Sequence, residues 1–136
     1  MKIYSAEHRP SKKASSNWFS GTVWQDPIIE TPAPARVYAL KFAFESSART
    51  AWHTHPLGQT LHVLSGVELV QLRAQAAQKI TAGDTVWIEP GEEHWNGAMP
   101  GHAMIHITIQ ESFDGTMADR LDKLLDEEYQ QSVATL

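Results

Sequence analysis

Cysteine is absent from the chain of 136 residues, so neither disulfides nor thiolate-bound metals contribute to its structure. The sequence also lacks any apolar run approaching the roughly 20 residues of a membrane-spanning helix. Basic residues are fewer than acidic ones, 11 against 16, and are scattered apart from the pair Lys12–Lys13. A formal charge of −5 does not favour binding to a phosphate backbone. We therefore expect no nucleic-acid partner and no association with a membrane.

From Arg36 onward the sequence has the period of β-strands. Tyr38, Leu40, Phe42 and Phe44 alternate with smaller or charged residues, and turn-forming residues separate further short segments. Strands are predicted at 51–55, 59–65, 67–73, 77–80, 85–88, 94–98 and 103–110. Many short, evenly spaced strands indicate an all-β barrel or sandwich. One helix is predicted at the C-terminus, over about 117–131, with an apolar stripe that packs on the outside of the barrel.

The N-terminal segment is less regular. Pro27, Pro32 and Pro34 interrupt it, and only the stretch around Val23 has the character of a strand. We predict an arm over 1–35 that packs on the barrel or on a neighbouring subunit, followed by a single domain over 36–136. The first ten residues are charged and do not resemble a signal peptide, so the expected location is cytoplasmic.

Histidine is abundant, with seven residues, and the cluster between Trp52 and His106 is the main functional signal. His53 and His55 lie two apart on a strand, so their side chains share one face. Gln59 follows a Pro-Leu-Gly turn, and His94 starts another predicted strand. Three imidazoles and an amide oxygen suit manganese, iron, nickel, copper or zinc rather than calcium or magnesium. A His-x-His pair alone is also compatible with a surface strand whose two histidines are solvated and bind no metal.

Two longer motifs surround these residues. The stretch His53-Thr54-His55-Pro56-Leu57-Gly58-Gln59, with Gly66 further on, resembles the first cupin motif, and the stretch from Gly83 to His94 resembles the second. The resemblance implies a cupin fold, which is a double-stranded β-helix or jelly-roll barrel. It also implies one divalent metal held by His53, His55, Gln59 and His94. Most cupins have Glu where this chain has Gln59, and a neutral ligand leaves the full metal charge uncancelled.

The likeness extends over roughly residues 17 to 130 to small bacterial cupins that include the manganese-dependent hydroxynitrile lyases. It is carried by the stretches Trp18–Val23, Ala48–Thr60 and Gly91–Trp95. The resemblance implies manganese as the favoured metal, with iron, nickel, zinc or copper as alternatives. It further implies a small-molecule substrate and a homodimer or homotetramer. His106 matches a cavity histidine that serves as the base in these lyases.

The residues of the predicted cavity follow from strand phase. His106 and Gln110 share a face of their strand, and Leu40 and Phe42 are expected to face inward from the preceding one. Asn96 shares a face with His94 and stands where these lyases have another histidine. The alternative without a catalytic role is that His106 is a core histidine hydrogen-bonded to Thr108 or a neighbour. We assign Leu40, Phe42, Asn96 and Gln110 to the substrate pocket.

Three functions are compatible with such a site. The resemblance favours a lyase that cleaves or forms cyanohydrins, with a Lewis-acid metal and His106 as base. A metal-dependent dioxygenase, whose signature would be iron in the site, is the second candidate, because three histidines with open metal positions support that chemistry. The third is a non-catalytic module that binds a small metabolite. One barrel fold hosts all three, so the fold does not separate them.

Overall fold

The computed structural model describes residues 1–136 and is built almost entirely from β-strands. The strands are β1 (Lys12–Lys13), β2 (Phe19–Ser20), β3 (Val23–Glu30), β4 (Val37–Phe44), β5 (Arg49–Thr50), β6 (His53–Thr54), β7 (Gln59–Leu72), β8 (Gln78–Thr81), β9 (Thr85–Ile88), β10 (His94–Ala98), β11 (Met104–Glu111) and β12 (Asp119–Arg120). A short 3-10 helix covers Ala6–His8, and one α-helix, α1, covers Asp126–Ala134. No helix combines the length and apolar character that crossing a bilayer requires.

The strands form one curled antiparallel sheet in the order β1-β3-β4-β11-β7-β10-β5-β2. Strand β7 is its central element, because its first half pairs with β9 and β11 and its second half pairs with β8 and β10. The all-β prediction with one C-terminal helix is therefore confirmed. The concave side of the curled sheet carries the histidines, as described below.

Strand β7 was predicted as two strands that break at a turn near Gly66. The structure instead has one strand with a bulge, at which Leu64 has no partner while Val63 and Ser65 face His106 and Ile105. Gly66 has φ of 81°, and a Cβ there would lie 2.1 Å from the carbonyl oxygen of Ala103. The bend is thus accommodated within the sheet, and it changes which residues of β7 face inward.

The N-terminal segment contains more strand than its sequence indicates. Strand β3 pairs with β4 along its whole length, with a register shift between Pro27 and Ile29. Proline is tolerated there because the other neighbour, β1, pairs only with Trp24 and Gln25, so Pro27 interrupts no ladder on that side. The segment 1–35 therefore contributes hydrogen-bonded strands to the sheet of its own chain.

Helix α1 begins at Asp126 rather than near residue 117, and it ends at Ala134. The preceding residues are extended because their backbone groups bond to the barrel: β12 pairs with β6, and Leu121 and Asp122 exchange hydrogen bonds with Trp52. The helix starts where Glu128 accepts a hydrogen bond from the backbone N–H of Leu125. Tyr129 anchors it in a cluster on the outside of the barrel, whose other buried members are Trp52, Leu69, Trp95 and Leu124.

Candidate metal centre and cavity

Three histidines meet on the concave side of the sheet. His94 is the register partner of His53 across β10 and β6, and their ring centroids lie 4.2 Å apart. His55 lies 5.0 Å from His53 and 5.5 Å from His94 by the same measure. The ligand atoms of all three lie within 4.8 Å of one another, and all three side chains are buried. Chain segments far apart in sequence thus place three imidazoles at one point.

The backbone sets the orientation of each ring. In every one of the three, Nδ1 lies within hydrogen-bond distance of a backbone carbonyl oxygen. The carbonyls belong to Ala51 for His53 (2.9 Å), Met117 for His55 (2.7 Å) and Glu92 for His94 (2.9 Å). Because a carbonyl oxygen only accepts, Nδ1 carries the proton and Nε2 keeps its lone pair. Such outer hydrogen bonds are the arrangement by which proteins orient metal-ligating histidines.

Burial keeps these imidazoles neutral. It lowers the pKa of His53 well below its ordinary value, and the neighbouring imidazoles of His94 and His55 act in the same direction. Burial also lowers the pKa of His55, and it lowers the pKa of His94 to about 4. Near neutral pH the cluster therefore presents lone pairs rather than N–H⁺ groups.

Gln59 adds an oxygen to this set. Its Nε2 donates a hydrogen bond of 3.0 Å to Oε1 of Gln110, which orients the amide. Its own Oε1 is buried without a hydrogen-bond partner, as are Nε2 of His55 and Nε2 of His94. Buried acceptors rarely stay unpaired in proteins. Several such atoms in one site, all acceptors and none charged, fit a divalent transition metal.

The histidines open into a cavity of about 490 Å³. Its wall combines apolar and polar side chains, and the apolar ones include the two predicted pocket residues Leu40 and Phe42. The other aromatic wall residues are Trp18, Phe19 and Phe44. Asn96, His106 and Gln110 line the same cavity, together with His53, His55 and Gln59. The sequence-predicted residues are thus brought together, with His94 fully buried beside the other two histidines.

His106 has a partner that the sequence did not indicate. Its Nδ1 lies 2.8 Å and 3.0 Å from the two carboxylate oxygens of Glu68. The hydroxyl of Thr108, the alternative partner that the sequence suggested for His106, makes no hydrogen bond. Phe42 and Phe44 contact the ring edge-on, with centroids 5.8 Å and 5.2 Å away. The imidazole is therefore held on one side by a carboxylate and enclosed by two aromatic rings.

Glu68 was missed because strand phase changes at the β7 bulge. In the first half of the strand, Gln59, Leu61 and Val63 face inward. Beyond the bulge the even-numbered residues face inward, because they pair with the even-numbered residues of β10, which include the cavity residue Asn96. The one signal in the sequence is an acidic residue inside the apolar run Val67–Val70. A charged residue in such a run is expected to have a buried partner.

A family model described as a cupin domain matches residues 40–107, which is the part of the chain that carries the histidines. Because this match covers half of the chain, the chain belongs to the cupin family. This confirms the resemblance read from the two motifs.

Individual relatives refine the comparison. An (R)-mandelonitrile lyase from Granulicella tundricola is 46% identical over 131 residues, covering 96% of this chain and 100% of that protein. The crystal structure of a cupin-like protein from Thermotoga maritima matches with a TM-score of 0.85 at 32% identity, over 97% of both chains. The polyketide cyclase RemF from Streptomyces resistomycificus shares the fold, with a TM-score of 0.75 at 18% identity over 100% of this chain and 98% of that one.

Proposed function

We propose that the protein is a metal-dependent lyase of the hydroxynitrile-lyase type, which cleaves or forms cyanohydrins. The observation that carries the proposal is the position of His106, whose ring lines the same cavity as the three-histidine cluster and makes no hydrogen bond through Nε2. A candidate base thus lines the same cavity as a candidate metal centre, together with several aromatic side chains. The 46% identity to an (R)-mandelonitrile lyase over nearly the whole chain supports this choice of reaction.

The metal in this proposal is one divalent transition ion, with manganese favoured, held by His53, His55, Gln59 and His94. When bound, such an ion supplies Lewis acidity and a positive charge that stabilises an anion formed in the cavity. Four neutral ligands leave that charge uncancelled, which suits a reaction that releases cyanide. The unpaired buried atoms of Gln59, His55 and His94 are the support for this ligand set.

His106 performs the proton transfer. Nε2 accepts the proton of the cyanohydrin hydroxyl as the oxygen forms a carbonyl double bond. The bond between that carbon and the nitrile carbon breaks, and its electron pair leaves with cyanide. The protonated His106 then returns its proton to cyanide, so that an aldehyde and hydrogen cyanide are released. The reverse sequence adds hydrogen cyanide to an aldehyde.

The pocket residues bind and orient the substrate. Leu40 and Phe42 provide apolar wall against which the side group of the cyanohydrin packs. Gln110 donates to the backbone carbonyl of Tyr38 and accepts from Gln59, so its amide is fixed at the edge of the candidate metal centre. Asn96 donates to Glu68 and keeps its carbonyl oxygen available to the cavity.

Benzaldehyde release from racemic mandelonitrile tests the proposal, at mildly acidic pH where spontaneous breakdown is slow. The samples are manganese-loaded protein, chelator-stripped protein and manganese-loaded His106→Ala. A matched control is His62→Ala, because His62 is hydrogen-bonded to Thr85 outside the cavity. We expect release to require both metal and His106 and to be unaffected in the control. Background rates in every sample would exclude the lyase, and oxygen uptake with the iron-loaded protein would then indicate a dioxygenase.

We further propose that the protein acts as a homodimer or homotetramer. Trp24, Trp87 and Ile109 are exposed on the outer face of the sheet, and the exposed Leu64 lies at the bulge of β7. Apolar side chains gathered on one face are typical of surfaces covered in an assembly. Light scattering of the protein and of Trp87→Glu tests this, with a lower mass expected for the variant. A monomeric wild-type protein would contradict it.

A further inference from the structure

Glu68 is a buried carboxylate with no cationic neighbour other than a histidine. Its side chain is 0% exposed, and the only salt-bridge partner within reach is His106. A second hydrogen bond comes from Nδ2 of Asn96, at 3.2 Å from Oε1. A charge that is buried without a partner is strongly unfavourable in a protein. The barrel therefore holds Glu68 for an interaction with these two side chains.

The geometry of the contact identifies the donor. Both oxygens of Glu68 lie at similar distances from Nδ1 of His106, 2.8 Å and 3.0 Å. An N–H group that points between two carboxylate oxygens gives this arrangement, whereas a protonated acid would direct its one hydroxyl at the ring. Asn96 donates to the same carboxylate, so Glu68 accepts from both neighbours. The proton of neutral His106 then lies on Nδ1.

We propose that Glu68, supported by Asn96, is a positioning residue that keeps His106 in the Nδ1–H form with Nε2 free toward the cavity. This inference rests on the proposed function for its consequence in catalysis, but the tautomer itself does not depend on that function. When Nε2 accepts a proton, the imidazolium lies against the carboxylate of Glu68, whose nearer oxygen is 2.8 Å from Nδ1. Glu68 thereby favours the proton-accepting step without touching the substrate.

Asn96 is part of this arrangement rather than a proton carrier. Its amide cannot shuttle protons near neutral pH, but it fixes the carboxylate that orients His106. Its own backbone N–H donates to the hydroxyl of Thr50, which holds β10 beside β5 at this point.

The tautomer of His106 can be read directly by ¹⁵N NMR of the zinc-loaded protein, because zinc is diamagnetic. We expect a protonated Nδ1 and an unprotonated Nε2 in the wild type. In Glu68→Gln, His106 and Asn96 face a side chain with one acceptor oxygen and one donating NH₂ group. A population of His106 with its proton on Nε2 should therefore appear. The matched control is Glu111→Gln, on the exposed end of the same strand as His106, where no change is expected.

Kinetics provide the second readout. For manganese-loaded Glu68→Gln we expect kcat for mandelonitrile to fall about 100-fold with KM nearly unchanged, as for loss of a base that acts only in the transition state. Glu68→Asp keeps two acceptor oxygens, so it should retain the Nδ1–H tautomer and lose less of kcat. It also replaces Glu68→Gln as the test variant if the Gln variant does not fold.

A wild-type His106 protonated on Nε2, or a Glu68→Gln variant with wild-type tautomer and kcat, would overturn the proposal. If the wild type shows the expected tautomer but releases no aldehyde, the positioning role stands and the lyase function fails.

Discussion

At the residue scale, the histidine cluster is the part of the molecule that sequence describes best. Ligand-type residues two apart on a strand must share a face, so His53 and His55 were placed together by local geometry alone. The assignment of His94 to the same site depended on the family resemblance, because no local pattern places residue 94 near residue 53. The acidic residue in the apolar run Val67–Val70 marks Glu68 as unusual, but its inward orientation could not be predicted, since it depends on a bulge whose position the sequence does not reveal.

Gln59 offers a test of the ligand set at this scale. Replacing Gln59 with Glu adds a negative charge at the buried acceptor beside the histidines, so manganese should bind about tenfold more tightly. The measurement is competition with a chromophoric chelator. Gln25→Glu is the matched control, because Gln25 lines the same cavity on β3. An equal affinity in both variants would remove Gln59 from the ligand set.

At the element scale, β7 determines the site. Its first half begins with Gln59 and its second half carries Glu68, so one strand supplies a candidate ligand and the hydrogen-bond partner of the proposed base, His106. Pattern alone predicted both halves, but it placed a turn between them. The turn-like residues Ser65-Gly66 proved to be paired strand residues next to a bulge at Leu64, because non-local pairing with β11 continues on both sides of the bulge.

Gly66 lies two residues beyond the bulge, where β7 passes close to the backbone of Ala103 and Met104. Gly66→Ala should lower the free energy of unfolding by about 3 kcal/mol, because the methyl group would meet backbone and the φ is positive. Gly83→Ala is a matched control: its φ is also positive, but a Cβ there would have no neighbour within 4 Å. For the control we expect about 1 kcal/mol. Urea denaturation measures both, and equal losses would contradict a tight approach at Gly66.

The C-terminal segment shows the same limit of local reasoning. Met117, Leu121 and Leu124 have helical spacing, and their period predicted a helix that starts too early. Backbone hydrogen bonds to β6 and Trp52 keep this stretch extended, while Leu124 still packs in the cluster around Trp95. The same apolar spacing can thus be buried in two conformations, and the partner strand selects between them.

At the scale of the whole molecule, the buried histidines make stability depend on pH. Burial lowers the pKa of His94 to about 4 from the ordinary 6.5, so unfolded chains bind more protons between these values. Metal-free protein should therefore lose stability as pH falls from 6.5 toward 4, by roughly 3 kcal/mol from His94 alone. Denaturation of chelator-treated protein across this range measures the loss. His94→Gln should flatten the dependence, and an unchanged slope in that variant would assign the effect to other groups.

In the proposed reaction, the metal ligands and His106 act together on a substrate inside one chiral cavity. Spontaneous addition of hydrogen cyanide to benzaldehyde gives racemic mandelonitrile, so the enantiomeric excess of the product reports catalysis in the cavity free of background. We predict a clear excess of one enantiomer with manganese-loaded protein, and its loss both on removal of the metal and in His106→Ala. Racemic product formed at the uncatalysed rate by the manganese-loaded wild type would contradict the account.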